Sequence, residues 1–310
     1  MERSFELPLR VGISTRALFD LEEEHKVFED SGVEAYIELQ RARENLHLEK
    51  GAGFQVVQRL LNLNREGEPP SVEVILLSRN SPDLSLRAFR SIEEYKLNVK
   101  LGSFTSGRPL ERFVSAWKID LFLSNENTDV SAAVDAGTAA AKLVKPPTLV
   151  DEENADEVRI AFDGDAVVFS EESDLVYKER GLQAFFEHER ANAHNPMKAG
   201  PFGHFLKKLS LLRHAHLYAP EVSKVRIGIV TARNAPAHER VIHTLRAWGT
   251  PADEAHFVGK NAKAPILAAM GAHIFFDDQQ DHVSKAAEFV PAGLVPGPHA
   301  PTETIIPSDE

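Results

Sequence analysis

Apolar and polar positions alternate along the chain in short runs, and longer stretches of helical period separate them. Leu9 to Phe19 (LRVGISTRALF) predicts a strand that breaks at Ser14-Thr15-Arg16. Val72 to Leu77 (VEVILL) predicts another, bounded by Glu68-Pro69-Pro70 and by Ser78-Arg79-Asn80-Ser81-Pro82. Ile119 to Leu123, the alternating Val158, Ile160 and Phe162, Val225 to Val230 and Ala272 to Phe276 complete the set. Between them, apolar residues recur at helical spacing over Val33 to Leu46, Phe54 to Leu63, Leu110 to Trp117, Leu175 to Arg190, Phe202 to Leu212 and Ala237 to Trp248, the last closed by Gly249. Strands that alternate with amphipathic helices specify an α/β fold with a doubly wound parallel sheet.

The series divides in two. Lys145 to Glu157 (KPPTLVDEENADE) joins a proline pair to an acidic run without apolar period, as a linker does, so residues 1–150 and 151–310 are expected to be separate α/β units. They look alike. VEVILLSRNSP resembles VRIGIVTARNAP, IDLFLSNENTDVSAA resembles AHIFFDDQQDHVSKAA, and Ser78 to Asn125 spans 47 residues, as does Thr231 to Asp278. Their chemistry differs, because the first half places Ser14, Arg16, Ser78 and Asn125 where the second places Asp163, Asp165, Thr231 and Asp278. A site without carboxylates holds Mg²⁺ poorly and forms no acyl phosphate. Residues 171–222 interrupt the second series right after its first strand and are expected to form a small helical cap; the proline-rich, acidic tail Pro291 to Glu310 is expected to be loosely ordered.

Composition narrows the partners. A net charge of -12 argues against nucleic acid and anionic membrane, and the absence of cysteine removes disulfides, thiolate chemistry and Cys-based metal sites. MERSFELPLR has no apolar h-region and no run reaches spanning length, so a cytoplasmic location is expected. A homo-oligomer stays open. The histidines show no zinc spacing, since His238 and His243, five apart, do not share a helix face.

Each strand end of the second half carries a polar functional group. FDGD supplies Asp163 and Asp165; Thr231 follows, then Lys263 ahead of a helix opening at Ala264-Pro265, then Asp277-Asp278. Asp-Gly-Asp by itself is also a solvated turn or part of a calcium loop, Thr231 alone is also a helix N-cap, and Lys260 competes with Lys263. In this order, however, the groups supply what displacement at phosphorus requires: a carboxylate nucleophile, an acid for the leaving oxygen, a hydroxyl and an ammonium for the phosphoryl oxygens, and a further carboxylate for Mg²⁺. Receiver domains use similar residues but place the acidic pair first and Thr and Lys last.

The order D-x-D, T, K, DD resembles the haloacid dehalogenase superfamily, and the wording is closer to one branch. FDGDAVVFS, FFEHERANAHNPMKAGP, IVTARNAP, WGTPADEAHF, AKAPIL, HIFFDDQQDHV and the N-terminal VGISTRALFDLEEEHKVFEDSGVEAYI are similar to the cytosolic type I 5'-nucleotidases, over roughly residues 8 to 290 and with no departure at the catalytic positions. The resemblance implies a haloacid dehalogenase-like catalytic half behind a degenerate related half, and Mg²⁺-dependent hydrolysis of nucleoside 5'-monophosphates, AMP typically. Carried over, Asp163 attacks the phosphate and becomes an aspartyl-phosphate. Asp165 protonates the departing 5'-oxygen and later activates water, Thr231 bonds the phosphoryl group and Lys263 neutralises it. Asp163, the backbone carbonyl of Asp165 and Asp278 bind Mg²⁺ with Asp277 in support, and which of the last two meets the metal directly stays open.

Base and ribose recognition is expected from the insertion, where Phe185, Phe186, His188, Asn192, His194 and Asn195 offer rings for stacking and polar groups for an edge. Arg233 and Asn234, just after Thr231, are placed to reach a phosphate, although a surface salt bridge suits Arg233 equally. The competing functions are another phosphomonoesterase, a phosphotransferase that passes the phosphoryl group to a nucleoside, and a nucleotide-sensing regulator with residual turnover.

Overall fold

Strands buried on both faces must be apolar at successive positions, and the runs read above meet that demand. A computed structural model of the chain describes residues 6–144, 157–220 and 222–297. Ten strands form its central sheet. In the first half these are β1 (Leu9–Ser14), β2 (Val72–Ser78), β3 (Leu101–Phe104), β4 (Leu121–Ser124) and β5 (Ala139–Leu143). The second half supplies β6 (Val158–Phe162), β7 (Val225–Thr231), β8 (Glu254–Phe257), β9 (Ile274–Asp277) and β10 (Ala292–Leu294). They lie in the order β8-β7-β6-β9-β10-β5-β4-β1-β2-β3. All neighbours are parallel except β10 and β5, which pair antiparallel through Gly293 and Leu143. Each half therefore has the same strand order, and the halves join tail to tail through their fifth strands. Because that junction is antiparallel, the carboxyl ends of β1–β4 and of β6–β9 open on opposite edges of one continuous sheet.

The alternation decides which face each residue serves. Val158, Ile160 and Phe162 of β6, Val225, Ile227 and Ile229 of β7, and Leu9, Val11 and Ile13 of β1 all point into one large core that runs under both halves. On the other face Ala161, Val230 and Phe275 belong to a core of the second half, and Ile75, Leu77 and Phe122 to a separate core of the first. Within the shared core, helix Phe54–Leu61 of the first half touches β6, while helix Gly203–Ala215 of the second touches β1. Lys208 on that second helix also reaches across to Asp120 at 2.7 Å. The expected insertion is thereby divided. Helix Gly203–Ala215, with Phe205, Leu206, Leu209 and Leu212 buried, is a core helix of the sheet. Helix Glu172–Ala191 remains mostly exposed above the strand ends.

That exposed helix has a counterpart in the first half, Glu22–Ala42, and both are kinked at a glycine at nearly the same distance past the end of the half's first strand: Gly32 (φ 84°, ψ -177°) and Gly181 (φ 80°, ψ -179°). This backbone region is open almost only to glycine. The periodic run from Val33 marked only the part of the first helix beyond its kink. The acidic linker falls on residues outside the described ones, apart from Glu157, as does the tail beyond residue 297. The start of the tail is not loose: Ala292–Leu294 is β10, whose backbone fills the place between β9 and β5.

Candidate active site

β6 delivers Asp163 at its carboxyl end, 4% exposed, with its carboxylate oxygen Oδ1 accepting the Gly164 N–H at 2.7 Å. Gly164 packs closely against the neighbouring strand end, where a Cβ would stand 3.1 Å from Thr231 Oγ1. Thr231, at the end of the adjacent β7, is 1% exposed, and its hydroxyl accepts the Arg233 N–H at 3.2 Å. On the other side β9 ends in Asp277. Lys263, in front of helix Ala264–Met270, reaches between the two strands, with its Nζ 2.8 Å from Asp163 Oδ1 and donating to Asp277 Oδ2 at 2.7 Å. Lys263 is 4% exposed and is the lysine at this cluster, whereas Lys260 is exposed.

The electrostatics follow from burying three carboxylates around one ammonium. Burial pushes Asp163 up to about 7, against the pull of Lys263, with the charges of Asp277 and Asp165 adding to the rise. Burial and the neighbouring Asp277 likewise push Asp278 up to about 6. Asp277 goes the other way: burial is outweighed by bonds from His282, at 3.2 and 3.3 Å, and from Lys263, which hold it below its ordinary value. Lys263, though buried, is held above its ordinary value by Asp163 and Asp277. Asp163 and Asp278, raised in this way, have too little positive charge beside them. Asp163, Asp277 and Asp278 place oxygens within 4.8 Å of one another, and hard oxygen donors that need a cation fit a divalent ion such as Mg²⁺.

The second acid of the D-x-D, Asp165, is clasped by Arg233, whose Nε and Nη2 donate to Oδ2 and Oδ1 at 2.8 and 2.7 Å. The expected surface salt bridge of Arg233 is instead a buried one, 3% exposed. Its Nη1 bonds Glu189, its Nη2 lies 3.2 Å from Met197 Sδ, and its guanidinium packs over the Phe185 ring, 5.5 Å from the centroid. Burial works against the charge, but Asp165 and Glu189 together hold Arg233 above its ordinary value. The exposed helix thus meets the site through its inner face, Phe185 and Glu189.

Other expected contacts are placed less directly. His188 Nε2 lies 3.3 Å from Arg240 Nη1, and Asn195 donates to Asn192 Oδ1 at 3.1 Å while its backbone oxygen accepts from Arg240. Phe186 is half-buried beside Phe185, and Asn234 is exposed against Gly259. The residues that the pattern did not mark are Glu189, Arg240 and His282. Glu189 is 1% exposed and accepts from Ser173 at 2.8 Å, from Arg240 at 3.1 Å and from Arg233. In FFEHERA it looks like one more solvated charge; only the tertiary packing puts it inside. Among the described residues a second group with metal-ligating atoms within 4.8 Å is His194, Glu239 and His243, at the surface, with the two rings stacked 4.4 Å apart.

Compared with known proteins, the sequence matches the 5'-nucleotidase family over residues 1–301. The chain belongs to that family. It is 32% identical over 290 residues to human cytosolic 5'-nucleotidase 1B, an alignment that covers 90% of this chain and 47% of the relative. The chain spans about half the length of that curated relative. No solved structure matches it. The resemblance seen in the motifs is thereby confirmed, and the doubly wound α/β sheet agrees with the fold it implied. Among the described residues no helix is long and apolar enough to cross a membrane.

Proposed function

We propose that the second half of this 5'-nucleotidase family member hydrolyses nucleoside 5'-monophosphates, AMP foremost, in the cytoplasm, through an aspartyl-phosphate on Asp163. The observation that carries the proposal is the convergence of Asp163, Thr231, Lys263, Asp277 and Asp278 at the carboxyl ends of three adjacent strands, in a chain of this family. Lys263 and the Gly164 N–H fix the Asp163 carboxylate in one orientation. It attacks phosphorus, and the P–O5' bond breaks as Asp165 gives its proton to the departing oxygen. Asp165 then takes a proton from water, which attacks the acyl phosphate and frees phosphate. Thr231 bonds a phosphoryl oxygen, and Lys263 offsets the charge gathered there.

Asp163, the Asp165 carbonyl and Asp278 are the ligands proposed for Mg²⁺, since Asp277 already accepts from Lys263, His282 and the Gln279 N–H. When bound, the cation draws electron density from the transferring phosphoryl group. Arg233 is spent on holding Asp165, so its part is to position that acid and not to grip phosphate. Phe186, with Asn234 and the exposed edge around His188 and Asn195, is proposed to contact base and sugar. The test is phosphate release from a panel of nucleoside monophosphates with Mg²⁺ and with EDTA. Release from AMP that ceases on chelation is expected. Undiminished release after full chelation would sink the metal's role, and no release from any nucleotide would sink the function.

A further inference from the structure

The first half lacks the carboxylates, yet it keeps the shape of the site. A cavity of about 570 Å³ opens at the carboxyl ends of β1, β2 and β4, within the size range of small-molecule pockets. Helix Glu22–Ala42, kinked at Gly32 like its counterpart, closes over it with His25, Phe28 and Tyr36. These rings form a chain. His25 stacks on Phe28 at 6.0 Å and 22°, and Phe28 meets Tyr36 edge-on at 6.0 Å and 79°. The mooring of the helix is repeated as well: Arg87 bonds Gln40 and Glu24, as Arg240 in the second half bonds Glu189, Ser173 and Glu172.

The floor of the cavity presents hydroxyl groups. Ser14, Ser78 and Ser124 each accept one backbone N–H, from Ala17, Asn80 and Glu126 at 3.2, 3.1 and 3.2 Å, so each O–H is left to donate. Thr15, 5% exposed and lining the same space, has a buried hydroxyl oxygen without any partner. A buried polar atom of this kind costs free energy unless a ligand or water meets it. The charges on the wall, by contrast, are already spent. Arg16 donates through Nε and Nη2 to Glu22 and through Nη1 to Glu126, all at 2.8 Å, and Arg79 is bonded to Asp129. Three carboxylates thus face two guanidiniums, and a phosphate dianion entering here would meet a balance already negative.

We propose that this cavity binds an uncharged nucleoside and performs no chemistry on it: a flat heteroaromatic ring against Phe28 and Tyr36, sugar hydroxyls on the serine and threonine floor. The choice of a nucleoside rests on the nucleotidase reading of the related half. That the occupant is flat, neutral and rich in hydrogen-bond acceptors rests on the cavity alone.

The full chain is photolabelled with 8-azidoadenosine in EDTA, so that AMP is not turned over to adenosine, and the labelled peptides are mapped while adenosine or AMP competes. Label within residues 22–42, displaced by adenosine at least tenfold more readily than by AMP, is the expected result. Val33→Trp, at a position 56% exposed on the rim, should cut that labelling at least tenfold and leave phosphate release unchanged. Phe28→Ala, at 44% exposure, checks the same wall should the tryptophan disturb the helix. Label confined to the second half, or first-half label that AMP displaces as well as adenosine does, overturns the proposal; so does labelling that neither variant lowers. Phosphate release measured on the same protein keeps the two readings apart: turnover without first-half label refutes only the nucleoside site, and label without turnover refutes only the catalysis.

Discussion

Removing one carboxylate from the helix above the candidate site, by Glu189→Ala, tests how far that helix is part of the second half. Glu189 is 1% exposed and serves two arginines that are 3% and 5% exposed, Arg233 and Arg240, besides the Ser173 hydroxyl. Breaking a buried ion pair by deleting one partner costs about 3 to 5 kcal/mol, because the remaining charge stays desolvated. The lower end applies here, since Arg233 keeps Asp165 and Arg240 keeps Glu172 at 2.8 Å. A loss of about 3 kcal/mol is about a hundredfold in the folding equilibrium and, for a chain of this size, about 5 °C in Tm. Urea unfolding followed by circular dichroism and by tryptophan fluorescence measures it. Trp117 reports on the first half and the buried Trp248 on the second, and the shared core should make both transitions coincide. Glu189→Gln, which keeps one acceptor oxygen, should cost less. Phosphate release should fall in both variants, because an Arg233 released on one side no longer holds Asp165 in a single orientation. A stability change below about 1 kcal/mol for the alanine variant would refute the reasoning, since Glu189 would then carry no buried charge network.

Asp163→Asn should abolish phosphate release with the fold kept, because the amide oxygen can still accept from Gly164 and Lys263 but cannot attack phosphorus; turnover near wild type would remove Asp163 from the mechanism. Lys263→Ala should lose at least a hundredfold in kcat, whereas the exposed Lys260→Ala should change activity less than twofold, and a reversal of that order would show the wrong lysine had been chosen. Gly200→Ala should destabilise by about 2 kcal/mol or more in denaturant titration, since its Cβ would lie 2.4 Å from the Phe169 carbonyl oxygen and 2.6 Å from that of Val167. Wild-type stability in that variant would mean the segment yields to the added methyl.

Much of this protein is local. The strands that line the sites, β1, β2, β4, β6, β7 and β9, could be read from apolar alternation because each is buried on both faces and ends in a polar turn. The acids and the threonine of the candidate site were legible for the same reason, since they stand where an apolar run stops, and Lys263 was legible from its place ahead of a helix opening at Ala264-Pro265. The short outer and joining strands were not legible. AAAKL of β5, EAHF of β8 and AGL of β10 show little alternation, and they are strands only because a neighbour offers a free edge of N–H and C=O groups.

Tertiary structure alone decided how the two halves meet and which charges are inside. The linker pattern suggested two units, whereas β5 and β10 pair into one sheet and a common core lies beneath both. Glu189 and Arg240 carry no periodic signal, for a charged residue on an amphipathic helix looks the same whether water or another charge satisfies it, and Arg233, in the loop after β7, gives no sign of its burial either. Sequence by itself therefore determined the strands, the repeat and the polar groups at the strand ends, all of which are legible along the chain. The joined sheet, the buried clasp on Asp165 and the enclosed cavity of the first half depend on residues far apart in sequence, and only packing could bring them together.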